Sequence, residues 1–455
     1  MDTIAAIATG GALSAIGIIR ISGPDAITAA GSIFRAESGV SLTQSYPRRL
    51  HYGRLFDTDG EVIDLCVAWI SRAPKSYTGE DTAEFQCHGS PIVLAEVLRA
   101  LFALGVRQAQ PGEFTKRAFL NGRMDLTQAE AVIDLIEAET PSAARNAAGQ
   151  LQGAVGIKLD AVYNALVDIM AHFHAVIDYP DEDIDEFELE NYLTTLRDIE
   201  QQLSQMLLSH EHGRVLRDGL PTAIIGRPNV GKSSLLNTLL GYDRAIVTDI
   251  PGTTRDTIEE KILLGGVLLR MIDTAGIRKT DDAIEKMGVE RTLDTLSRAK
   301  LALLVLDGSQ PLKYEDFDAL RSIPADMPKL AIVNKSDLPH AVSESDLDEL
   351  DLNYCHISTV TGNGLDELET RLKQLLPQFS SATGGALITN ARQADAISRA
   401  KTCVCAAISA MNDSVTPDAV LTEIESAAAS IGEVTGTIMR EDIVGRIFER
   451  FCIGK

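Results

Sequence analysis

The chain has 455 residues, 45% of them hydrophobic and 24% charged, and a formal net charge of -23. That length exceeds what one hydrophobic core serves and predicts two or three domains. The acidic field repels polyphosphate, which excludes non-specific nucleic-acid binding by bulk charge, and a single tryptophan argues against a stacking platform for single strands.

The six cysteines (Cys66, Cys87, Cys355, Cys403, Cys405 and Cys452) form no CxxC pair, which reads as reduced thiols in a cytoplasmic protein. His172 and His174 do not match a zinc spacing and read as helix-surface residues. The apolar run 4–19 has no preceding Lys or Arg and is interrupted by Gly10, Gly11 and Gly17. It therefore predicts two buried strands joined by a small-residue turn, not a signal peptide. No other stretch reaches membrane-spanning length without charges, so a soluble protein with no membrane partner is expected.

Residues 1–120 read as mixed α and β. Strands are expected at 4–8, 17–22, 50–56, 62–70 and 83–87, then a helix after Pro91 with Val93, Val97, Leu98 and Leu101 on one face. Cys87 and His88 are adjacent on a strand and so point to opposite faces, which argues against a catalytic pair. From about residue 122 the pattern becomes long helices. One carries Leu159, Val162, Leu166, Ile169, Phe173 and Val176 on a single stripe, and a later one Leu193, Leu196, Leu203 and Met206. The acidic segment 178–186 between them reads as a solvated loop.

Strands expected at 222–225, 268–272, 301–306, 330–333 and 355–357 alternate with helices, the pattern of a parallel sheet with crossover helices. After a linker-like stretch at 380–385 the helices return. Helical segments on both sides of an α/β unit imply that one domain is inserted in another. The expected fold class is multidomain α/β and α+β. An α+β domain covers 1–120, an all-α helical domain is divided between 121–215 and 381–455, and a Ras-like P-loop domain is inserted at 216–380.

The inserted domain carries the chemistry. Gly226-Arg-Pro-Asn-Val-Gly-Lys-Ser233 follows a strand and opens a helix, the context in which G-x-x-x-x-G-K-S binds phosphates. Backbone amides of Asn229, Val230, Gly231 and Ser234 would wrap the phosphates at a helix N-terminus. Lys232 would reach the β- and γ-phosphates and Ser233 would ligate Mg²⁺. Thr254, within Gly252-Thr-Thr-Arg-Asp256, is the candidate for the second Mg²⁺ hydroxyl. In Asp273-Thr-Ala-Gly276, Asp273 would support Mg²⁺ and the Gly276 amide would sense the γ-phosphate, with Thr274 and Ala275 lining the site.

Asn334-Lys-Ser-Asp337 selects guanine. The Asp337 carboxylate can accept both N1–H and the exocyclic amine, a pairing adenine cannot offer. Asn334 would brace the loop, Lys335 would pack along the base, and Ser358 and Thr359 would complete the pocket. GTP and GDP are the expected ligands. Ile277 follows Gly276 where Ras-type sites place a water-orienting Gln, so another group must align the water. Glu285 is the candidate; its alternative reading is a solvated helix position. The amide oxygen of Asn229 could ligate a monovalent cation beside the phosphates.

The tail Phe451-Cys-Ile-Gly-Lys455 and the early run Ile16-Gly-Ile-Ile-Arg-Ile-Ser-Gly23, together with a GTPase inserted in helices, give a full-length resemblance. The chain resembles the tRNA-modification GTPase family MnmE, also called TrmE. The resemblance implies a folate-binding N-terminal domain through which the protein forms a homodimer. It also implies a complex with the FAD-containing protein MnmG. Together such proteins install an aminomethyl-type group, commonly carboxymethylaminomethyl, at carbon 5 of the wobble uridine of certain tRNAs, with tRNA reached through the complex. It further implies that K⁺ drives G-domain dimerisation and hydrolysis, with Asn229, Thr248, Ile250 and Thr253 around the ion and Glu285 orienting water. The family's folate positions, for 5-formyl-tetrahydrofolate or a related folate, fall on Arg20, Glu80, Arg123 and Lys455; Arg123 stands where Lys is usual. Cys452, near Arg450 and Lys455, reads either as a nucleophile with a lowered pKa or as a small helix-end residue. The competing reading of the whole chain is a ribosome-assembly or signalling switch without covalent chemistry.

Overall fold

The computed structural model describes every residue except 1, 11, 179–188, 243–259, 273–286, 349, 351, 378–386, 414, 439–446, 449–450, 452 and 455. The acidic segment 178–186 and the linker 380–385 therefore fall largely outside the described residues. The chain divides into two compact units. The first comprises Met1–Ile133, Gln150–Phe187 and Ser409–Lys455; the second comprises Asp134–Gly149 and Glu188–Ile408.

The first unit is built on strands β1 (Ile4–Ile7), β2 (Ser14–Ser22), β3 (Phe34–Ala36), β4 (His51–Phe56), β5 (Val62–Ser71), β6 (Thr82–Gly89) and β7 (Arg107–Gln108). They form one sheet in the order β3-β4-β5-β6-β2-β1-β7, antiparallel apart from the β1–β7 pair. β2 begins earlier than its buried pattern suggests. Ser14–Ile16 is exposed and its register is broken by a bulge, so apolar alternation does not mark it.

The helices Ala26–Ile33 and Pro91–Ala103 cover one face of this sheet, with Ile27, Ile33, Leu94, Val97 and Leu101 packing on Ile19, Ile21, Ala68, Ile70 and Phe85. Leu94 is buried, whereas Val93 and Leu98 lie at the margin of this core, which rotates the buried stripe slightly from the expected one. Cys87 is buried in the core and His88 projects to the other face, where its Nδ1 lies 2.7 Å from Asp64 Oδ1.

Helices Ala154–Asp178 and Pro417–Thr435 pack together in the same unit. The expected stripe Leu159, Val162, Leu166, Ile169 and Phe173 is buried; the Val176 side chain lies outside the described residues. The chain's last segment returns to this unit. Phe448 and Phe451 join Leu126 and Ala129 in a small core, and Ile453 bridges Pro111.

The second unit holds strands β8 (Leu220–Ile225), β9 (Glu260–Leu264), β10 (Val267–Met271), β11 (Leu301–Asp307), β12 (Lys329–Asn334) and β13 (Tyr354–His356). Their order is β13-β12-β11-β8-β10-β9. All neighbouring pairs are parallel except β9–β10, so the sheet is mixed and not the purely parallel one expected. β9 is a five-residue edge strand in which only Ile262 and Leu264 are buried, too short a stretch for its apolar residues to show a strand period. Every residue of the central β11 is buried, since helices cover both faces of the sheet. In the long helix Leu189–Asp218, Leu196, Ile199, Leu203 and Met206 are buried and Leu193 half-buried.

Candidate nucleotide site and a second polar centre

β8 delivers the chain to Gly226, and the loop that follows opens the helix Lys232–Tyr242 at the C-terminal end of the sheet, where open α/β sheets bind ligands. Asn229 has φ 64 and Gly231 φ 102, both in the left-handed region that curls backbone amides inward. A Cβ on Gly231 would collide with Asn334 Nδ2, so this position admits only glycine. Lys232 Nζ donates to the carbonyls of Gly226 (2.6 Å) and Arg227 (2.8 Å), which fixes the ammonium across the loop. Burial, followed by the charge of Arg227, pushes the Lys232 pKa down, the condition a bound polyphosphate would relieve. Val230 is buried beneath the loop, and Ser233 and Ser234 lie in the first turn of the helix.

The second loop follows β12. Asn334 is buried; its Nδ2 donates to Val230 O (2.9 Å), and its Oδ1 accepts the Thr359 N–H (3.3 Å). One amide thus joins the phosphate loop, its own loop and the loop after β13. Ser358 Oγ donates to Asp337 Oδ1 (2.6 Å), orienting that carboxylate. Lys335 Nζ donates to Asn229 O (3.3 Å) and to Asp307 Oδ2 (2.7 Å). Asn229, Val230, Gly231, Lys232, Asn334, Lys335, Asp337, Ser358 and Thr359 are therefore gathered at the C-terminal end of the sheet. Thr248, Ile250, Thr253, Thr254, Asp273, Thr274, Ala275, Gly276 and Glu285 lie outside the described residues.

Sequence reasoning passed over Asp307, Arg227 and Asp316. Arg227 Nε lies 3.2 Å from both Asp316 oxygens, and Asp307 ends β11 beside the two motif loops. Its position at the end of an apolar strand, as for Asn334 on β12, was the available signal.

In the first unit the candidate folate residues sit in a second polar centre. Arg20, on β2, donates from Nε to Glu84 Oε1 (2.7 Å), and its guanidinium lies 5.3 Å from the Tyr77 ring and 5.8 Å from the Phe114 ring. Glu80 accepts from Ser22 Oγ (2.7 Å) and from Arg117 Nη1 (3.2 and 3.1 Å). Arg123 follows the turn whose Asn121 donates to Thr78 O (2.7 Å), and its side chain packs beside Gly79.

Arg117, absent from the sequence reading, organises this centre. Its side chain is 4% exposed and also contacts Asp2 and Glu113. Burial pushes the Glu113 carboxyl up, but bonds from Arg107, the Gln110 N–H and Arg117 reverse this and leave its pKa below the usual value. Lys455 and Cys452 lie outside the described residues. Next to them, Gly454 (φ 98) approaches Ile7 so closely that a Cβ would meet the Ile7 carbonyl.

A phosphate loop on β8 and an Asn-Lys-x-Asp loop on β12, bound together by one amide, define a P-loop protein of the GTPase class. The MnmE helical-domain family model matches residues 126–452, and the model for the N-terminus of the GTP-binding protein TrmE matches 3–123. The tRNA modification GTPase MnmE of Thermoanaerobacter pseudethanolicus is 42% identical over 458 residues, covering 100% of this chain and 99% of its own length. That of Heliobacterium modesticaldum is 43% identical over 465 residues with the same coverage. The G domain of the T. maritima FeoB iron transporter is 27% identical over 34% of this chain and 98% of that one, at a TM-score of 0.26. The chain belongs to the MnmE family of tRNA modification GTPases and is a GTP hydrolase. Among the described residues, no helix is long and apolar enough to cross a membrane.

Proposed function

We propose that this GTPase, with an FAD-containing MnmG-type partner, installs a carboxymethylaminomethyl-type group at carbon 5 of the wobble uridine of certain tRNAs. The observation that carries the nucleotide part is the Asn334 amide, which bonds the phosphate loop and both base-pocket loops at once. Membership of the family carries the tRNA part.

In this reading 216–380 is the inserted G domain, 121–215 and 381–455 form the helical domain, and 1–120 is the folate-binding and dimerising domain. Lys232 neutralises the β- and γ-phosphates, and Asp337 selects guanine through its two oxygens. Ser233 heads the helix that faces the phosphates and fits a hard cation such as Mg²⁺, with Thr254 supplying the second hydroxyl. A bound Mg²⁺ would offset phosphate charge as hydrolysis proceeds. Asn229 stands in the inward-curling loop and fits a K⁺ site with Thr248, Ile250 and Thr253; K⁺ would favour pairing of two G domains. Glu285 orients the attacking water.

The second polar centre fits a folate that carries its own N–H donors. Glu80 already takes bonds from Ser22 and Arg117, yet a carboxylate has about four acceptor sites and retains capacity. Arg20, Arg123 and Lys455 would supply positive charge, and Cys452 lies next to Lys455's segment. A bound folate would supply a one-carbon unit for the tRNA chemistry.

Mass spectrometry of wobble nucleosides from cells lacking the protein tests this reading: unmodified uridine is expected, and intact modification would refute it. Turnover in K⁺ should greatly exceed that in Na⁺, and equal rates would remove the cation role of Asn229. Glu285→Ala should abolish turnover with GTP affinity retained; a large affinity loss would make Glu285 a binding residue.

A further inference from the structure

We propose that Asp307 is a positioning residue for nucleotide binding, which ties Arg227 of the phosphate loop to Lys335 of the base loop. The inference rests on the reading that residues 334–337 grip guanine. Asp307 ends the fully buried β11, between β8 and β12, and its side chain is 1% exposed. Its Oδ2 lies 2.7 Å from Lys335 Nζ and 3.8 Å from Arg227 Nη2. Its Oδ1 accepts from Ser309 Oγ (2.6 Å) and the Ser309 N–H (3.1 Å). Two cations from two separate loops thus converge on one carboxylate.

A buried carboxylate needs such partners to remain ionised. Burial alone would push the Asp307 pKa up; the bonds from Lys335 and Ser309 outweigh it and hold the pKa below the usual value. The backbone explains why the anchor is needed. Lys335 sits at φ 66, a region unfavourable to a lysine; Asn229, whose carbonyl Lys335 also reaches, sits at φ 64, where asparagine is tolerated. The strained Lys335 thus touches the phosphate loop directly, and its ammonium links the two loops. Asp307 grips Lys335, while Arg227 is held from its other side by Asp316, in the helix Tyr314–Arg321. A carboxylate would repel phosphate, so Asp307 acts through these cations and not by touching the nucleotide.

The test is a double-mutant cycle on the full chain with Mg²⁺, measuring GDP affinity and GTP turnover for Asp307→Asn, Lys335→Met and the double variant. Asp307→Asn should weaken GDP binding about tenfold and raise KM for GTP, with kcat within about twofold of the parent. On the Lys335→Met background the same substitution should add less than about twofold, because its route to the nucleotide is already gone. Should Asp307→Asn fail to fold, Ser309→Ala removes one bond to the carboxylate; it should weaken GDP about twofold in a chain that still folds, with the thermal midpoint somewhat lowered. Parental GDP affinity in the soluble Asp307→Asn variant, or in Ser309→Ala if that is the variant available, would overturn the proposal. So would fully additive losses in the cycle. Parental affinity in Lys335→Met alone would instead refute the base-loop assignment on which the proposal stands.

Discussion

Gly231 and Arg117 show how much a single side chain can decide. Gly231 combines a left-handed φ of 102 with a space already filled by Asn334 Nδ2. Gly231→Ala should therefore push Asn334 from Val230 and lower GDP affinity by about tenfold or more, while the first unit melts normally; titration calorimetry and thermal unfolding would show this. Arg117 raises the opposite issue, removal instead of addition. It is almost fully buried between Glu80 and Glu113, so Arg117→Ala leaves Glu80 without its cation and Glu113 with Arg107 alone. We expect a loss of about 3–5 kcal/mol in chemical denaturation. Arg117→Lys should recover only part of it, because an ammonium cannot fork to several acceptors.

At the level of elements, burial separates contacts that matter from those that merely exist. Lys261 Nζ, on β9, lies 2.6 Å from Glu139 Oε1, but both side chains are about 40% exposed. Lys261→Ala should change stability by less than about 1 kcal/mol. Phe448 packs against Phe119 and Phe451 at ring separations of 6.4 and 5.0 Å and is buried, so Phe448→Ala should cost about 3–5 kcal/mol. Equilibrium unfolding in urea measures both. The same contrast explains what the sequence reveals. The phosphate loop and Asn334–Asp337 are legible because ligand binding dictates contiguous residues at fixed spacing. The helices around Leu159 and Leu203 are legible because their apolar stripes are long. β9 is not, since its five residues are too few to show a period. Arg117 and Asp307 are harder to read for another reason: although Glu113 lies one helical turn from Arg117, their partners Asp2 and Arg227 are far away in sequence, and only folding brings those charges together.

Across the whole molecule, both units depend on carboxylates with depressed pKa values, Glu113 in one and Asp307 in the other. Such groups contribute stability above their unfolded values, and that contribution is lost as pH falls through the lower folded values. Unfolding free energy should therefore stay nearly level from about pH 7 to 5 and decline below about pH 4. A series of denaturant titrations across pH would check it; a decline complete by pH 5 would point to other groups. The divided first unit has one more consequence. Its sheet comes from the earliest part of the chain, whereas the phenylalanines that close its small core, and the Ile453 bridge to Pro111, lie beyond residue 447. On the ribosome the segment around Leu126 and Ala129 must wait, its apolar side uncovered, while more than half of the polypeptide is made, although the early sheet and its two covering helices are complete by then. That short helical stretch, and not the strands before it, is where a chaperone has most to shield.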